Sequence, residues 1–379
     1  MRPGRRILLT GASGYLGGLI AASLLAADPE LRILAPVRAG RDRDAVLHPI
    51  AAELAALAND PAAAAQVERI QLEALPPLAS LADLDAALLA FEVDEVVHCA
   101  ACLDYFDREA LQAVNVGLTA ALLDQARRVG VKRFVHVSTA FSSGYVDGDV
   151  PEALHAEPQA DPTDYTLTKR AAEHLVAASG LPYLILRPSI VIGHSRDGRY
   201  SGKRYGLYQL WSGIERLLCR EWHDTIHAYA PSQPANLVHQ DAFQAAFMAA
   251  WAGPLDQPIV NIVSDDRQTP SVRDLWEIWL AACNRPRQTI YYEDMESIPT
   301  REIPPAQRAL LGLASVNLQI IGRRWRFETG ALQQLQAAGL VFPQATLASV
   351  AICQQRVIDN SAAIQKFFAK RDSALVAAQ

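Results

Sequence analysis

The chain has 379 residues, half of them hydrophobic, and a formal net charge of -6. This length allows one large domain with a smaller lobe, and the acidic balance does not favour a nucleic-acid partner. The five cysteines are scattered, and Cys99 and Cys102 lack a second pair or a histidine at zinc spacing. The sequence contains no run of about 18 uncharged apolar residues, so no membrane span is predicted. We therefore expect a cytoplasmic protein with reduced thiols and no metal site.

The chain begins with a predicted strand, a glycine-rich turn and a helix. Ile7–Leu9 is short enough for a buried strand, and apolar residues at helical spacing start at Leu16. The glycines between them follow the spacing Gly-x-x-Gly-x-x-Gly. Such a turn before a helix offers N–H groups and a partial positive charge to a pyrophosphate. The residues predicted to contact a dinucleotide here are Thr10, Gly11, Ser13, Gly14, Tyr15, Leu16 and Gly17.

The second predicted strand, Leu31–Val37, ends at Arg38. In a dinucleotide-binding fold the residue at this point reads the adenosine ribose. An acid would bind the 2′-hydroxyl of NAD, whereas a guanidinium would bind the 2′-phosphate of NADP. The pattern therefore predicts NADP(H). In the alternative interpretation, Arg38 and two arginines after it form a solvated loop with Asp42 and Asp44 as partners.

Strands and helices alternate through the first half of the chain. The apolar runs at 93–101, 134–137 and 184–193 are predicted as buried strands, and 258–263 as a last strand. This order is typical of an α/β Rossmann fold, a doubly wound parallel sheet, with a smaller, mostly helical substrate lobe. The predicted division is an NADP-binding Rossmann domain at 1–193, a substrate-lobe excursion at 194–233, a return to the Rossmann domain at 234–263, and a mostly helical C-terminal lobe at 264–379.

Hydroxyl side chains end one of the predicted strands, since Ser138 and Thr139 follow the run at 134–137. The carboxyl ends of parallel strands face the ligand crevice. Downstream, Tyr165 and Lys169 are four residues apart on a predicted helix, so the phenol and the ammonium lie on one face. Reduction of a carbonyl requires a hydroxyl for the developing oxyanion and a proton donor. The pattern predicts a site with this chemistry.

Three further features have two interpretations each. His98 is expected to pack at a strand end rather than to bind a metal. The arginines around Trp325 (Arg323, Arg324 and Arg326) would either bind coenzyme A phosphates or lie on a solvated face, and we favour the second. The apolar tail at 352–376 would either lie on a membrane surface or pack on the smaller lobe, and we expect packing.

The glycine motif Thr10-Gly-Ala-Ser-Gly-Tyr-Leu-Gly17, the pair Ser138-Thr139, Tyr165 and Lys169, in this order, resemble the extended short-chain dehydrogenase/reductase superfamily over residues 5–265. The segments 37–39, 137–140 and 187–198 resemble its branch of fatty acyl-CoA reductases and thioester reductase domains.

This resemblance implies roles for particular residues. Tyr165 would be the acid/base, and Lys169 would hold the nicotinamide ribose and lower the tyrosine pKa. A hydroxyl of the pair Ser138 and Thr139, with Thr139 favoured, would bind the carbonyl oxygen. Asn115 matches a mainly structural asparagine. Further cofactor contacts are implied at Ala100 and Pro188.

The resemblance also implies an NADPH-dependent reductase that converts an acyl thioester, carried by coenzyme A or an acyl carrier protein, to an aldehyde and by a second hydride to an alcohol. A homodimer is a further expectation. The alternatives are an NADP-dependent ketone or hydroxysteroid-type dehydrogenase, a nucleotide-sugar epimerase, and a non-catalytic NADP-binding protein. Four aromatic residues would line an acyl channel or form a packed core, and their spacing suits both: Tyr200, Tyr205, Tyr208 and Trp211.

Overall fold

The structure is a computed structural model that describes residues 4–158, 160–203 and 205–377. Its strands are β1 (Arg6–Thr10), β2 (Arg32–Arg38), β3 (Ile70–Leu75), β4 (Glu95–His98), β5 (Arg133–Val137), β6 (Gly148–Val150), β7 (Tyr183–Pro188), β8 (Ile190–Ile192), β9 (Thr225–Tyr229), β10 (Leu237–His239), β11 (Ile259–Ile262), β12 (Gln288–Tyr292) and β13 (Trp325–Phe327).

The α-helices are α1 (Tyr15–Ala27), α2 (Arg43–Ala58), α3 (Asp85–Phe91), α4 (Arg108–Leu111), α5 (Leu118–Val129), α6 (Asp164–Ala177), α7 (Leu207–Leu218), α8 (Gln240–Ala252), α9 (Val272–Ala282), α10 (Pro305–Ile321), α11 (Gly330–Ala337), α12 (Leu347–Asp359) and α13 (Ala362–Ala377). A π-helical turn, Gln112–Gly117, joins α4 to α5, and 3-10 segments lie at Pro61–Arg69, Leu78–Leu84 and Ala140–Ser143.

The central sheet has seven parallel strands in the order β11-β7-β5-β4-β1-β2-β3. Helices α1, α2 and α8 cover one face, and α3, α5 and α6 cover the other. Because both faces are covered, the inner strands are mainly buried along their length, whereas the edge strand β3 alternates between apolar and polar residues. The strand order reverses direction between β1 and β4, and ligands bind beyond the carboxyl ends of the strands at such a point. The predicted fold class is confirmed.

The smaller lobe has a hydrophobic core of its own, formed mainly by α7, α9, α10, α12 and α13. Ile358, Ile364 and Phe367 from the C-terminal tail are buried in this core. The tail therefore packs on the lobe, as expected, and does not turn its apolar side outward to a membrane surface. None of the helices in the described ranges is long and apolar enough to cross a bilayer.

The structure corrects the predicted boundaries at three places. The run at 184–193 splits into β7 in the central sheet and β8, which pairs with β10, because Pro188 cannot continue the ladder of hydrogen bonds. The strand at 258–263 is not the last, since β12 pairs with β9 and β13 with β6. Helix α11 packs on the Rossmann core through Ala331, Leu332 and Leu335, so 264–379 does not belong wholly to the lobe.

Candidate active site

The turn between β1 and α1 has the geometry of a phosphate-binding loop. Gly11 has a φ of 79°, and a Cβ there would lie 2.7 Å from the backbone nitrogen of Ala100. A Cβ at Gly17 would overlap the Gly11 carbonyl. The N-terminus of α1 has no side-chain cap and no acidic residue in its first turn. Its N–H groups are therefore available to a pyrophosphate, and the turn fits a dinucleotide.

Other predicted residues of this turn have different surroundings. Ser13 is exposed, and Leu16 packs on the core beneath the helix. The Tyr15 hydroxyl lies 3.1 Å from the Ile192 carbonyl oxygen and 2.9 Å from Gln240 Oε1. The side chain of Tyr15 thus points toward the smaller lobe, which leaves its backbone N–H for the predicted phosphate contact.

Arg38 is exposed at the carboxyl end of β2. Asp42, a partner in the alternative interpretation, instead caps α2, because its carboxylate accepts a hydrogen bond from the Ala45 N–H at 3.0 Å. Arg38 has no ion pair with any other residue that the structure describes. Its guanidinium is available for a phosphate.

Helix α6 carries Tyr165 and Lys169, and its N-terminal half is held in two ways. Thr163 and Thr166 form a capping box, in which each side-chain oxygen accepts a hydrogen bond from the other residue's N–H. Arg170 donates to both carboxylate oxygens of Asp161, at 2.8 and 2.6 Å, and to the Ser142 carbonyl at 3.1 Å. The bond to Ser142 ties the helix to the segment that follows Ser138 and Thr139.

A buried ion pair between Glu173 and Arg187 connects α6 to β7. Both side chains are 0% exposed, and the guanidinium donates to the two carboxylate oxygens at 2.9 and 2.6 Å. It also donates to the carbonyls of Pro151 and Ala153. In the sequence, Arg187 contributed only to the family resemblance. An arginine inside an apolar strand was the signal that it needs a buried acidic partner.

Lys169 is 2% exposed, and its ammonium donates to the Val137 carbonyl at 2.8 Å. The Nζ atom also lies 3.3 Å from Nε2 of His136, a buried residue that the sequence analysis did not single out. Burial lowers the pKa of Lys169 to about 8, while Cys99 and Glu173 act in the opposite direction. The lysine is therefore held against the end of β5.

The environment of Tyr165 differs from the expectation. Burial raises its pKa above the ordinary value for a phenol, with Tyr105 and Cys99 adding to the rise. The Tyr105 and Tyr165 ring centroids are 5.7 Å apart. The predicted lowering by Lys169 is absent because that ammonium contacts Val137 and His136. The phenol is protonated at neutral pH, as a proton donor must be.

The two hydroxyls at the end of β5 are not equivalent. Thr139 Oγ1 accepts a hydrogen bond from the Phe141 N–H at 3.4 Å and caps the following 3-10 segment. Ser138 Oγ is buried and has no hydrogen-bond partner among the described residues. The prediction favours Thr139, whereas the unpartnered hydroxyl belongs to Ser138, so both remain candidates for the carbonyl oxygen. Pro188 ends the neighbouring strand β7.

Asn115 links two parts of the site. Its Oδ1 accepts a hydrogen bond from the Cys102 N–H at 2.8 Å, and its Nδ2 donates to Thr168 Oγ1 at 3.0 Å. His98 lies deeper, and burial lowers its pKa to about 3, so the ring is neutral. Its surroundings are those of a packed residue. Within the described ranges, no group of three or more His, Cys, Asp and Glu side chains is placed to hold a metal ion.

The aromatic residues of the smaller lobe form a stacked core. Tyr200 stacks on Tyr208 with ring centroids 3.7 Å apart, and Tyr208 meets Trp211 at 5.1 Å. The Tyr208 hydroxyl accepts a hydrogen bond from the Gly193 N–H at 3.0 Å. Tyr208 and Trp211 are therefore core residues, not the lining of a channel. Tyr205 is 45% exposed.

A cavity of about 720 Å³ lies beside the two arginines that precede Trp325. Arg323 pairs with Asp147 at 3.2 Å there and lies over the Tyr145 ring. Three acidic side chains oppose two arginines in its wall, so it lacks the positive charge that coenzyme A phosphates need. Arg326 pairs with Asp149 at 2.7 Å. Arg323 and Arg326 are thus paired with acidic residues and Arg324 is exposed, as expected for a solvated face. The cavity is lined by Tyr145, Asp147, Tyr229, Asp294, Met295, Glu296, Gly322, Arg323 and Arg324.

The fold and the arrangement on α6 define the class of the NAD(P)-dependent oxidoreductases of the extended short-chain dehydrogenase/reductase type. Residues 9–242 match the family described as male sterility protein, with an NAD-binding domain. The chain belongs to this family.

The comparisons with individual proteins agree with this assignment. The chain is 26% identical to fatty acyl-CoA reductase wat of Drosophila melanogaster over an alignment 341 residues long, which covers 77% of this chain and 64% of that protein. The chain thus spans less than two thirds of this relative.

Two solved structures share the fold. The terminal R domain from the myxalamid PKS-NRPS biosynthetic pathway has a TM-score of 0.72 and 22% identity, covering 94% of this chain and 91% of that one. A thiolation-reductase di-domain from an archaeal non-ribosomal peptide synthetase has a TM-score of 0.72 and 18% identity, covering 94% and 77%.

Proposed function

We propose that the chain is an NADPH-dependent reductase of acyl thioesters that produces an aldehyde and, by a second hydride, an alcohol. The observation that carries this proposal is the protonated phenol of Tyr165 on the same helix as Lys169, in a member of this family. The similarity to a fatty acyl-CoA reductase supports the thioester as substrate.

NADPH is proposed over NADH because of Arg38, whose exposed guanidinium has no ion pair within residues 4–158, 160–203 and 205–377. The glycine turn and the start of α1 would hold the pyrophosphate, and Lys169 the nicotinamide ribose. The bound cofactor would supply the hydride.

The side chains of the site suit the charge that develops on the substrate. When a thioester carbonyl accepts a hydride, its oxygen becomes negative, and the Ser138 or Thr139 hydroxyl would stabilise it. Tyr165 would donate its proton to that oxygen, which gives a hemithioacetal. The C–S bond of the hemithioacetal would then break as its hydroxyl proton passes to the sulfur, which releases the aldehyde and the free thiol. Burial raises the pKa of Cys99 to about 12, so the neighbouring thiol is neutral and is not a nucleophile in this scheme.

We propose that the acyl group is carried by coenzyme A or by a carrier protein. The similarity to a thiolation-reductase di-domain supports the second carrier. A cytoplasmic location and a homodimer also remain proposals.

The test measures the stoichiometry of the reaction products. The purified chain is incubated with NADPH and a long-chain acyl-CoA, or with the same acyl group on a carrier protein, and free thiol, aldehyde, alcohol and oxidised cofactor are counted. Free thiol should equal the sum of aldehyde and alcohol. Turnover of ketones or secondary alcohols alone would favour the dehydrogenase. Interconversion of nucleotide sugars would favour the epimerase, and cofactor binding without any turnover would favour a non-catalytic protein. A parallel assay with NADH tests the cofactor.

A further inference from the structure

Three polar residues occupy neighbouring positions in the central sheet. Thr10, His98 and His136 are cross-strand partners on β1, β4 and β5. Side chains two positions apart on a strand point to the same face, and the preceding residues on this face are buried and apolar. These are Leu8, Val96 and Phe134. The last row before the carboxyl edge of the sheet is therefore polar where the row below it is hydrophobic.

The hydrogen bonds of His98 account for both of its ring nitrogens. Thr119 Oγ1 donates to the Asn115 carbonyl at 2.7 Å, so it accepts the proton of His98 Nε2, which lies 2.9 Å away. His98 Nδ1 accepts from Thr10 Oγ1 at 2.7 Å. This imidazole is a neutral link within the fold.

His136 is used differently. Its Nε2 lies 3.3 Å from the ammonium of Lys169, and its Nδ1 has no hydrogen-bond partner among the described residues. A charged ammonium has only donors, so Nε2 accepts and the ring is neutral. The Val137 carbonyl is the second acceptor, at 2.8 Å. Two successive residues of β5, one through its side chain and one through its backbone, thus hold one buried cation.

We propose that His136 is a positioning residue, whose imidazole holds the ammonium of Lys169 at the end of β5. The inference rests on the role of Lys169 in the proposed function. If an apolar side chain replaced His136, a buried cation would keep one fewer acceptor, and the lysine would lose its proton more readily or move.

The other titratable groups around Lys169 are neutral or already paired, so the acceptor on His136 is important for its ammonium. His98 on β4 is neutral, and so is the Cys99 thiol that follows it. Glu173 on α6 is engaged by Arg187. Burial lowers the pKa of Lys169 to about 8. An acceptor for the charged form opposes this fall, so its loss should lower the pKa of Lys169 further.

The first experiment measures NADPH affinity by fluorescence titration between about pH 6.5 and about pH 9.5, where a lysine of this pKa changes charge. His136→Phe should weaken binding about tenfold near pH 8 and move the pH at which affinity falls downward by about one unit, the loss expected for one hydrogen bond to a charge. His136→Gln should retain most of the affinity, because its amide oxygen reaches the position of Nε2.

A double variant separates positioning from general damage. In the Lys169→Met background, His136→Phe should weaken NADPH binding no further, because the group on which it acts is gone. His98→Phe removes the neighbouring imidazole and should lower the melting temperature without moving the pH midpoint. A full additional loss in the double variant, or an unmoved midpoint in His136→Phe, would overturn the proposal.

The unfolding of the cofactor-free protein gives a readout that needs neither substrate nor turnover. The pKa of Lys169 is about 8 in the folded protein and about 10.4 in an unfolded chain. The free-energy cost of burying the charged ammonium is therefore fully present below pH 8, and the protein becomes more stable as the pH rises from about 8 to about 10.4. In His136→Gln this rise in stability should begin at the same pH as in the wild type. In His136→Asn, whose amide is too short to reach the ammonium, the rise should begin at lower pH. Equal dependence of stability on pH in the two variants would contradict the inference, even if His136→Phe does not fold. The comparison does not depend on the thioester assay, so it holds even if that assay fails.

Discussion

The Rossmann half and the smaller lobe use their polar and aromatic side chains in different ways. In the Rossmann half, the proposed functional groups lie at the ends of strands or the starts of helices, such as Arg38 at the end of β2 and Tyr165 in the first turn of α6. In the lobe, Tyr208 and Trp211 are buried, and the Tyr208 hydroxyl already has a backbone partner. The first half thus carries the groups proposed to bind a ligand, whereas these aromatic side chains of the second half are packed in its core.

A polar network connects the two halves. Arg199 donates to the Glu53 carboxylate from Nε and Nη2, at 3.1 and 3.2 Å. Gln240 contacts the same carboxylate and the Tyr15 hydroxyl. The helix that follows the turn predicted to bind the pyrophosphate is therefore connected, through Gln240 and Glu53, to Arg199 in the first segment of the smaller lobe.

The comparison predicts its largest effect at Tyr165. Replacing Tyr165 with Phe removes the proton donor and little volume, so turnover should fall about 10²- to 10⁴-fold while NADPH affinity stays nearly unchanged. Steady-state kinetics and cofactor titration measure the two quantities. Tyr105→Phe alters the adjacent ring and should keep most of the activity. Equal losses in both variants would remove the special role of Tyr165.

The buried ion pair should matter for stability more than any paired surface group. Glu173→Gln leaves the Arg187 guanidinium buried without its counter-charge, and breaking such a pair costs about 3 to 5 kcal/mol. The free energy of unfolding in urea measures this. Arg326→Gln breaks the exposed pair with Asp149 and should leave the midpoint where it is. A small effect at Glu173 would mean that other contacts position α6.

At the adenosine end we expect a smaller effect. Arg38→Asp should weaken NADPH binding about tenfold to a hundredfold, since one guanidinium-phosphate contact is worth about 1.5 to 3 kcal/mol. Arg32→Asp makes the same charge change at the other end of β2, so it reports any non-specific effect of net charge. If the wild type binds NADH as tightly as NADPH, the proposed contact of Arg38 with the 2′-phosphate is wrong.

The smallest effect is expected in the lobe. Tyr208→Phe leaves the Gly193 N–H without its acceptor, which should cost about 1 to 3 kcal/mol of stability. At a temperature where the variant is folded, kcat should be unchanged, because the ring is a core residue. A marked change in KM for long acyl chains would instead show that this aromatic core senses the substrate.

The sequence alone determined the features that depend on local spacing. The glycine turn, the strand that ends at Arg38, and the helix that places Tyr165 four residues before Lys169 are all set within a few consecutive residues. Periodicity and turn chemistry act over such distances, so a single sequence is sufficient to predict them.

Only the tertiary structure decided which side chains meet across the fold. His136 and Lys169 are 33 residues apart, and Arg187 and Glu173 belong to different elements. The direction of the Tyr165 pKa shift likewise depends on its burial, and Trp211 of the lobe lies in a core where it stacks on Trp279. Burial and pairing are properties of neighbours in space, and no spacing along the chain encodes them.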